Sequence, residues 1–191
     1  MVILITGATH TGKTLLAQRM LERYGYPYLS MDHLKMGLIR SGQTDLTPSD
    51  DDALTPYIWP IVREIMKTAI ENRQNLIVEG CYVPFAWRRD FPADYLADIR
   101  FLCLAMTDAY IDAHFDDIVA HASDIEARLD DSSLTPALLK SENQKYAAEF
   151  QAAGEPITWI DEDYHTSTDV LLNGQHKRGV AARTQMSLEE R

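Results

Sequence analysis

Five short apolar runs punctuate the chain, at residues 2–6, 26–30, 75–79, 99–104 and 156–160. Each is too short for a core helix and is rich in β-branched or aromatic residues, so each predicts a strand. Pro27 falls in the second run and cannot donate to a ladder, so that strand is expected to start raggedly. Helical spacing fills the intervals. Residues 13–24 carry Leu15, Leu16, Met20 and Leu21 on one stripe, and Gly25 stops them. Residues 32–41 open on Asp32, a good capping residue, and end at Gly42. Residues 53–72, with Pro56 and Pro60 near the start, and residues 107–122 and 135–153 complete the set. Pro136 suits a first helical turn. Strands alternating with helices predict an α/β fold with a mostly parallel sheet. Such sheets bind ligands at the carboxyl ends of their strands. Chemistry is therefore sought just after Thr6, Ser30, Glu79, Leu104 and Ile160.

The first of these places is the most informative. Gly7-Ala-Thr-His-Thr-Gly-Lys-Thr14 matches the pattern G-x-x-x-x-G-K-S/T at every fixed position. By composition alone such a match arises in roughly one chain in a hundred of this size. Here it also lies between an apolar strand and an amphipathic helix. Gly7 and Gly12 let the backbone curl until successive N–H groups face inward as an anion nest. The following helix aims its unsatisfied N–H groups and positive dipole end at the same spot. Lys13 adds a point charge for the outer phosphates of a nucleotide, and Thr14 a hydroxyl for Mg²⁺.

Bulk properties narrow the setting. The chain has 191 residues, which fits one domain, with 46% hydrophobic and 25% charged residues. The formal net charge of −11 argues against a nucleic-acid backbone as partner. No apolar stretch approaches a membrane span, and the short apolar start lacks the basic flank of a secretory signal. Cys81 and Cys103 both sit in apolar runs without metal-ligand neighbours, the usage of a reducing cytosol, so a cytoplasmic protein is expected.

The motif is the P-loop, and the chain resembles the P-loop kinase superfamily. In size and layout it is similar to the small members: adenylate kinase, shikimate kinase, gluconate kinase and 2-phosphoglycerate-kinase-like ATP-binding proteins. The resemblance is sharp over residues 2–14, moderate at 32–40 and 76–80, and diffuse elsewhere. It implies a three-layer α/β/α fold with a five-stranded parallel sheet ordered 2-3-1-4-5. It also implies one kinase-like domain over residues 1–173, with substrate-binding helices at about 32–73 and a lid at about 108–134. Residues 174–191 lack periodicity and are read as a mobile tail or a short extra helix.

The resemblance also implies the chemistry. ATP and Mg²⁺ are the expected cofactors, and a small-molecule phosphoacceptor the expected partner. Gly7, Ala8, Thr9, His10, Thr11, Gly12, Lys13, Thr14 and Leu15 would hold the nucleotide, and Thr14 with Glu79 the metal. Asp32 would orient or deprotonate an acceptor hydroxyl, or else only cap its helix. Arg40, or Lys35 on the same helix, and Arg88 would bind a substrate anion, and Arg128 would be the lid arginine that meets the transferring phosphoryl group beside Lys13.

One departure redirects the substrate expectation. Residues 108–131 hold eight acidic residues and a single arginine, a poor clamp for a nucleotide acceptor. A hydroxyl acceptor is therefore favoured over a nucleoside monophosphate. Two other readings stay open: a nucleotide-binding regulator or slow NTPase, and a toxin-type or antibiotic-modifying kinase. Asp108, Asp112 and Asp116 share a helical spacing and read as a solvated acidic face rather than a cation site.

Overall fold

The computed structural model describes residues 1–122 and 134–173. Five strands, β1 (Val2–Gly7), β2 (Tyr28–Ser30), β3 (Leu76–Glu79), β4 (Ile99–Met106) and β5 (Ile157–Ile160), form one sheet in the order β2-β3-β1-β4-β5. Every pairing is parallel. Seven helices accompany them among the described residues: α1 (Lys13–Tyr24), α2 (Met31–Arg40), α3 (Asp51–Glu71), α4 (Ala93–Leu96), α5 (Asp108–Ala120), α6 (Pro136–Ala152) and α7 (Tyr164–Asn173). A 3₁₀ turn, Trp87–Asp90, precedes α4. The expected α/β/α layering and strand order are both present.

The two-residue period of β1 explains the layering. Val2 and Leu4 join a core with Leu54, Ile58, Val62 and Met66 of α3 and Phe150 of α6. Ile3 and Ile5 point the other way, into a core with Leu16, Ala17 and Met20 of α1, Ile111 of α5 and Leu172 of α7. All four β1 side chains are fully buried. At about 1.5–3 kcal/mol per buried aliphatic side chain, this central strand anchors both layers. No helix among the described residues is long and apolar enough to cross a membrane.

Several boundaries depart from the sequence pattern for physical reasons. β2 begins only at Tyr28, one residue beyond Pro27, whose ring offers no ladder N–H. Ser30, not Asp32, is the N-cap residue of α2, so Asp32 stands in the first turn and does not cap. α3 begins at Asp51, two residues earlier than its apolar stripe, which leaves Pro56 as well as Pro60 in the helix interior. An interior proline costs about 3 kcal/mol. The buried stripe of Leu54, Ile58, Trp59, Val62, Met66 and Ala69 offsets it. α7 carries no long apolar period. It starts where the Asp163 side chain accepts from the Thr166 N–H at 2.7 Å. The expected tail at 174–191 and residues 123–133 of the expected lid, Arg128 among them, lie outside the described residues.

An aromatic cluster fixes the segment after β3. Trp87 stacks on Phe101 with centroids 5.2 Å apart, and Phe91 meets Trp87 edge-on. Arg88 crosses the Trp87 ring and gives Nε and a terminal N–H to the Glu155 carboxylate, at 2.5 and 2.8 Å. The Glu155 side chain is 1% exposed and that of Arg88 48%. This bidentate pair ties the 3₁₀ turn to the loop before β5. Arg88→Ala is expected to cost about 1–3 kcal/mol, because it strands a buried carboxylate that water reaches only in part. Thermal unfolding should then fall by several degrees. An unchanged midpoint with a weakened acceptor affinity would instead give Arg88 the substrate role.

Candidate nucleotide and phosphoacceptor site

Strand register gathers the site. In the sheet, Glu79 lies beside Ile5 on one side and Ser30 on the other. The carboxyl ends of β2, β3 and β1 therefore come level, and each launches one segment of the candidate site. β1 runs into the Gly7–Thr14 loop, β2 into the first turn of α2 with Asp32, and β3 ends on Glu79 itself.

The loop has the shape its sequence requires. Gly12 and His10 both adopt left-handed backbone, with φ of 70° and 62°. Gly12 is also crowded: a Cβ there would stand 2.5 Å from the Tyr164 ring. That ring's hydroxyl donates to the Gly12 carbonyl at 2.7 Å, so α7 pins the loop from outside. Inside, the Ala8 carbonyl accepts from Thr11 Oγ1 at 2.9 Å and from Lys13 Nζ at 2.7 Å. An ammonium carries three protons, so Lys13 keeps two for a ligand. The first backbone bond of α1 runs from Leu16 N–H to the Gly12 carbonyl, so the Lys13, Thr14 and Leu15 N–H groups have no acceptor within the helix. Those groups and the dipole behind them suit an anion.

The two residues expected at a metal meet. Thr14 Oγ1 donates to Glu79 Oε2 at 3.2 Å, across the boundary between α1 and β3. Glu79 is 1% exposed. A hydroxyl and a buried carboxylate beside a phosphate nest are hard oxygen donors, the set Mg²⁺ takes, so these residues fit the ion. A buried carboxylate is costly without a cation or hydrogen bonds, and the Thr14 hydroxyl supplies one such bond.

Asp32 lines the same cavity of about 630 Å³ as residues 10–15 of the loop. Its carboxylate pairs with Lys35 at 2.7 Å. Lys35 also donates to the hydroxyl of buried Tyr82 at 2.9 Å, and that hydroxyl donates to Asp51 at 3.0 Å, at the start of α3. Lys35 thus braces Asp32 and joins α2 to α3; it is occupied rather than held ready for a substrate anion. On the other flank, the Tyr146 hydroxyl donates to the Cys81 carbonyl and sits 2.8 Å from Thr6 Oγ1. This bond fastens α6 over the ends of β1 and β3.

The remaining expected residues are elsewhere. Arg40 is exposed in the last turn of α2 and Arg88 is bound to Glu155, and neither lines the cavity. Asp112 of the acidic face pairs with Lys140, and Asp108 accepts from Gln144. No group of three metal-ligating side chains occurs among the described residues. Burial pushes the Cys81 thiol up to about 11 and Cys103 to about 12, so neither is a thiolate near neutrality. A second groove, of about 880 Å³, opens at the amino ends of the strands between Tyr24, Ile61 and Leu76. It holds none of the motif residues, and parallel sheets place chemistry at the other edge.

Sequence reasoning assigned no role to the side chains on the far wall of the cavity. Met106, Tyr110, His114 and Ile118 from β4 and α5 face Ile160, Asp163, Tyr164 and His165 from the β5–α7 segment. Tyr110 and His114 stack at 4.6 Å. Aromatic and aliphatic groups across from a phosphate nest suit a nucleobase. The available signal was positional: both segments follow strand ends.

No protein-family model matches the sequence, and no curated protein does. Among solved structures the chain is similar to an uncharacterised protein from Eubacterium ventriosum, with 14% identity, a TM-score of 0.54, and coverage of 93% of this chain and 99% of that one. It is similar to a tunicamycin resistance protein from Deinococcus radiodurans, with 16% identity, a TM-score of 0.53, and coverage of 92% and 95%. It is also similar to a gluconokinase from Sinorhizobium meliloti, with 15% identity, a TM-score of 0.51, and coverage of 96% of both chains. Loop, sheet order and these likenesses agree: the chain has a P-loop kinase-like fold.

Proposed function

We propose that the protein is an ATP- and Mg²⁺-dependent kinase that transfers the γ-phosphoryl group to a hydroxyl of a small molecule. The observation that carries this reading is that one cavity is lined by both Lys13 with Thr14 and the carboxylate of Asp32. A bare nucleotide switch needs the first pair; a transferase also needs a base facing the acceptor. The likeness to a gluconokinase supports a polyol acceptor, and the acidic stretch at 108–131 disfavours a nucleoside monophosphate.

In this reading the loop N–H groups and Lys13 take the phosphate oxygens, and they hold charge that grows on transfer. Thr14 and Glu79 would hold Mg²⁺, which would supply positive charge to neutralise the phosphates. Asp32, braced by Lys35, accepts a hydrogen bond from the acceptor hydroxyl and takes its proton as the new P–O bond forms and ADP leaves. Catalysis is then mostly positioning and charge neutralisation.

The direct assay is acceptor-dependent ADP release across sugar acids, neutral polyols, nucleosides and hydroxylated antibiotics. Turnover that one acceptor class stimulates is the expected result. ADP release that no acceptor changes would favour the slow NTPase. Asp32→Asn should keep ATP affinity and lower transfer by about 10²–10⁴-fold; undiminished transfer would remove Asp32 from the chemistry. Lys13→Ala should abolish measurable turnover and weaken ATP binding. Glu79→Gln should raise the Mg²⁺ concentration for half-maximal rate, and an unaltered metal titration would make Glu79 structural.

A further inference from the structure

A residue outside the sequence motif grips the phosphate loop. Tyr164 opens α7, 152 positions beyond Gly12, and donates its hydroxyl to the Gly12 carbonyl at 2.7 Å. The fit is close. A Cβ at Gly12 would lie 2.5 Å from the Tyr164 ring and 2.9 Å from its hydroxyl. The second motif glycine therefore leaves room for this tyrosine, besides supplying left-handed backbone with φ of 70° and ψ of 26°. Burial holds the Tyr164 phenol above its usual range, so the hydroxyl keeps its proton near neutrality.

Tyr164 is itself held. Its carbonyl accepts from Thr168 Oγ1 at 2.8 Å, and Arg19 of α1 donates to that same buried hydroxyl at 2.9 Å. The Tyr164 ring packs against the core that contains Leu16, Ile111 and Leu172. The start of α7 is thus a platform, fastened to α1 along its length.

The grip has a directional consequence. A peptide unit is planar and trans, so the Gly12 carbonyl and the Lys13 N–H point opposite ways. The carbonyl faces back into α1, where it accepts from the Leu16 N–H at 2.9 Å as well as from Tyr164. Both of its lone pairs are then used. The Lys13 N–H points off the amino end of the helix, at the cavity that Gly12, Lys13 and Tyr164 line. Glycine admits the flipped peptide at little steric cost. That flip would forfeit both hydrogen bonds and turn a carbonyl oxygen toward the anion site. Without the Tyr164 hydroxyl it would forfeit one.

Resting on the nucleotide-site reading above, we propose that Tyr164 is a positioning residue: its hydroxyl locks the Gly12–Lys13 peptide in the orientation that offers the Lys13 N–H to the nucleotide's phosphates.

The test compares wild type with Tyr164→Phe, which keeps the ring. Calorimetric titration with Mg²⁺ and a non-hydrolysable ATP analogue should give a Kd about tenfold weaker in the variant, the scale of one lost hydrogen bond. The pair Gly-Lys occurs once in the chain, at Gly12–Lys13. Protein isotope-labelled at glycine carbonyl carbons and lysine amide nitrogens therefore gives a single resonance correlated across this peptide. In the free variant the Gly12 carbonyl resonance should move upfield, as an acceptor does on losing a donor. In the wild type the Lys13 amide proton should move downfield when the analogue binds. A thermal unfolding midpoint within a few degrees of wild type records the intact fold. Equal Kd values in the two proteins overturn the proposal. So does weaker binding with the Gly12 carbonyl resonance unmoved, which would assign the loss to the cavity wall. A collapsed midpoint overturns it too, by making the hydroxyl a fold element rather than a positioning group. A wild type that binds no analogue would overturn the nucleotide reading itself, while the carbonyl resonances of the two free proteins would still report the grip.

Discussion

The alignment of Ile5, Glu79 and Ser30 across three parallel strands is the constraint on which the site depends. Parallel ladders deliver every carboxyl end to one edge of the sheet. A one-residue slip of β3 would turn Glu79 to the opposite face and part it from Thr14. Such a slip would also send Ile77 and Val78 to the wrong cores, which is why the register holds. The two hydrophobic layers thus fix the geometry of a polar site that contributes little stability of its own.

Around that edge the protein spends its polar side chains as braces. Tyr164 holds Gly12 from α7, Tyr146 ties α6 to the ends of β1 and β3, and Lys35 joins Asp32 to Tyr82 and Asp51. Each brace crosses between elements far apart in sequence. Together they fix a loop whose left-handed residues would otherwise be free to relax. Rigid surroundings would suit the proposed transfer, because such transfer depends on position more than on reactive side chains.

Local signals carried far in the sequence. The strand runs, the glycine-and-lysine loop and the glycine stop of α1 are each set by nearest neighbours, and the structure has them where the pattern puts them. Distant partners were not legible. Arg88 belongs to Glu155, 67 residues on, and no local cue could mark that bond. Lys35 reads as a surface charge from its helix and is half-buried over the ring of Tyr82, which follows β3. The short α7 is held by an aspartate cap and by packing on α1, not by an apolar period of its own. Asp32 reads equally as a cap or a base; only the position of Ser30 at the helix start separates the two.

The central claim is that the loop after β1 grips a nucleotide's phosphates beside Lys13, with Thr14 and Glu79 at the metal. A crystal structure with Mg²⁺ and a non-hydrolysable ATP analogue tests it most directly. The account predicts phosphate oxygens within hydrogen-bond reach of Lys13 Nζ and the loop N–H groups, and the ion against Thr14 Oγ1. A nucleotide seated in the amino-edge groove near Tyr24, or a phosphate loop left empty at saturating analogue, would contradict it.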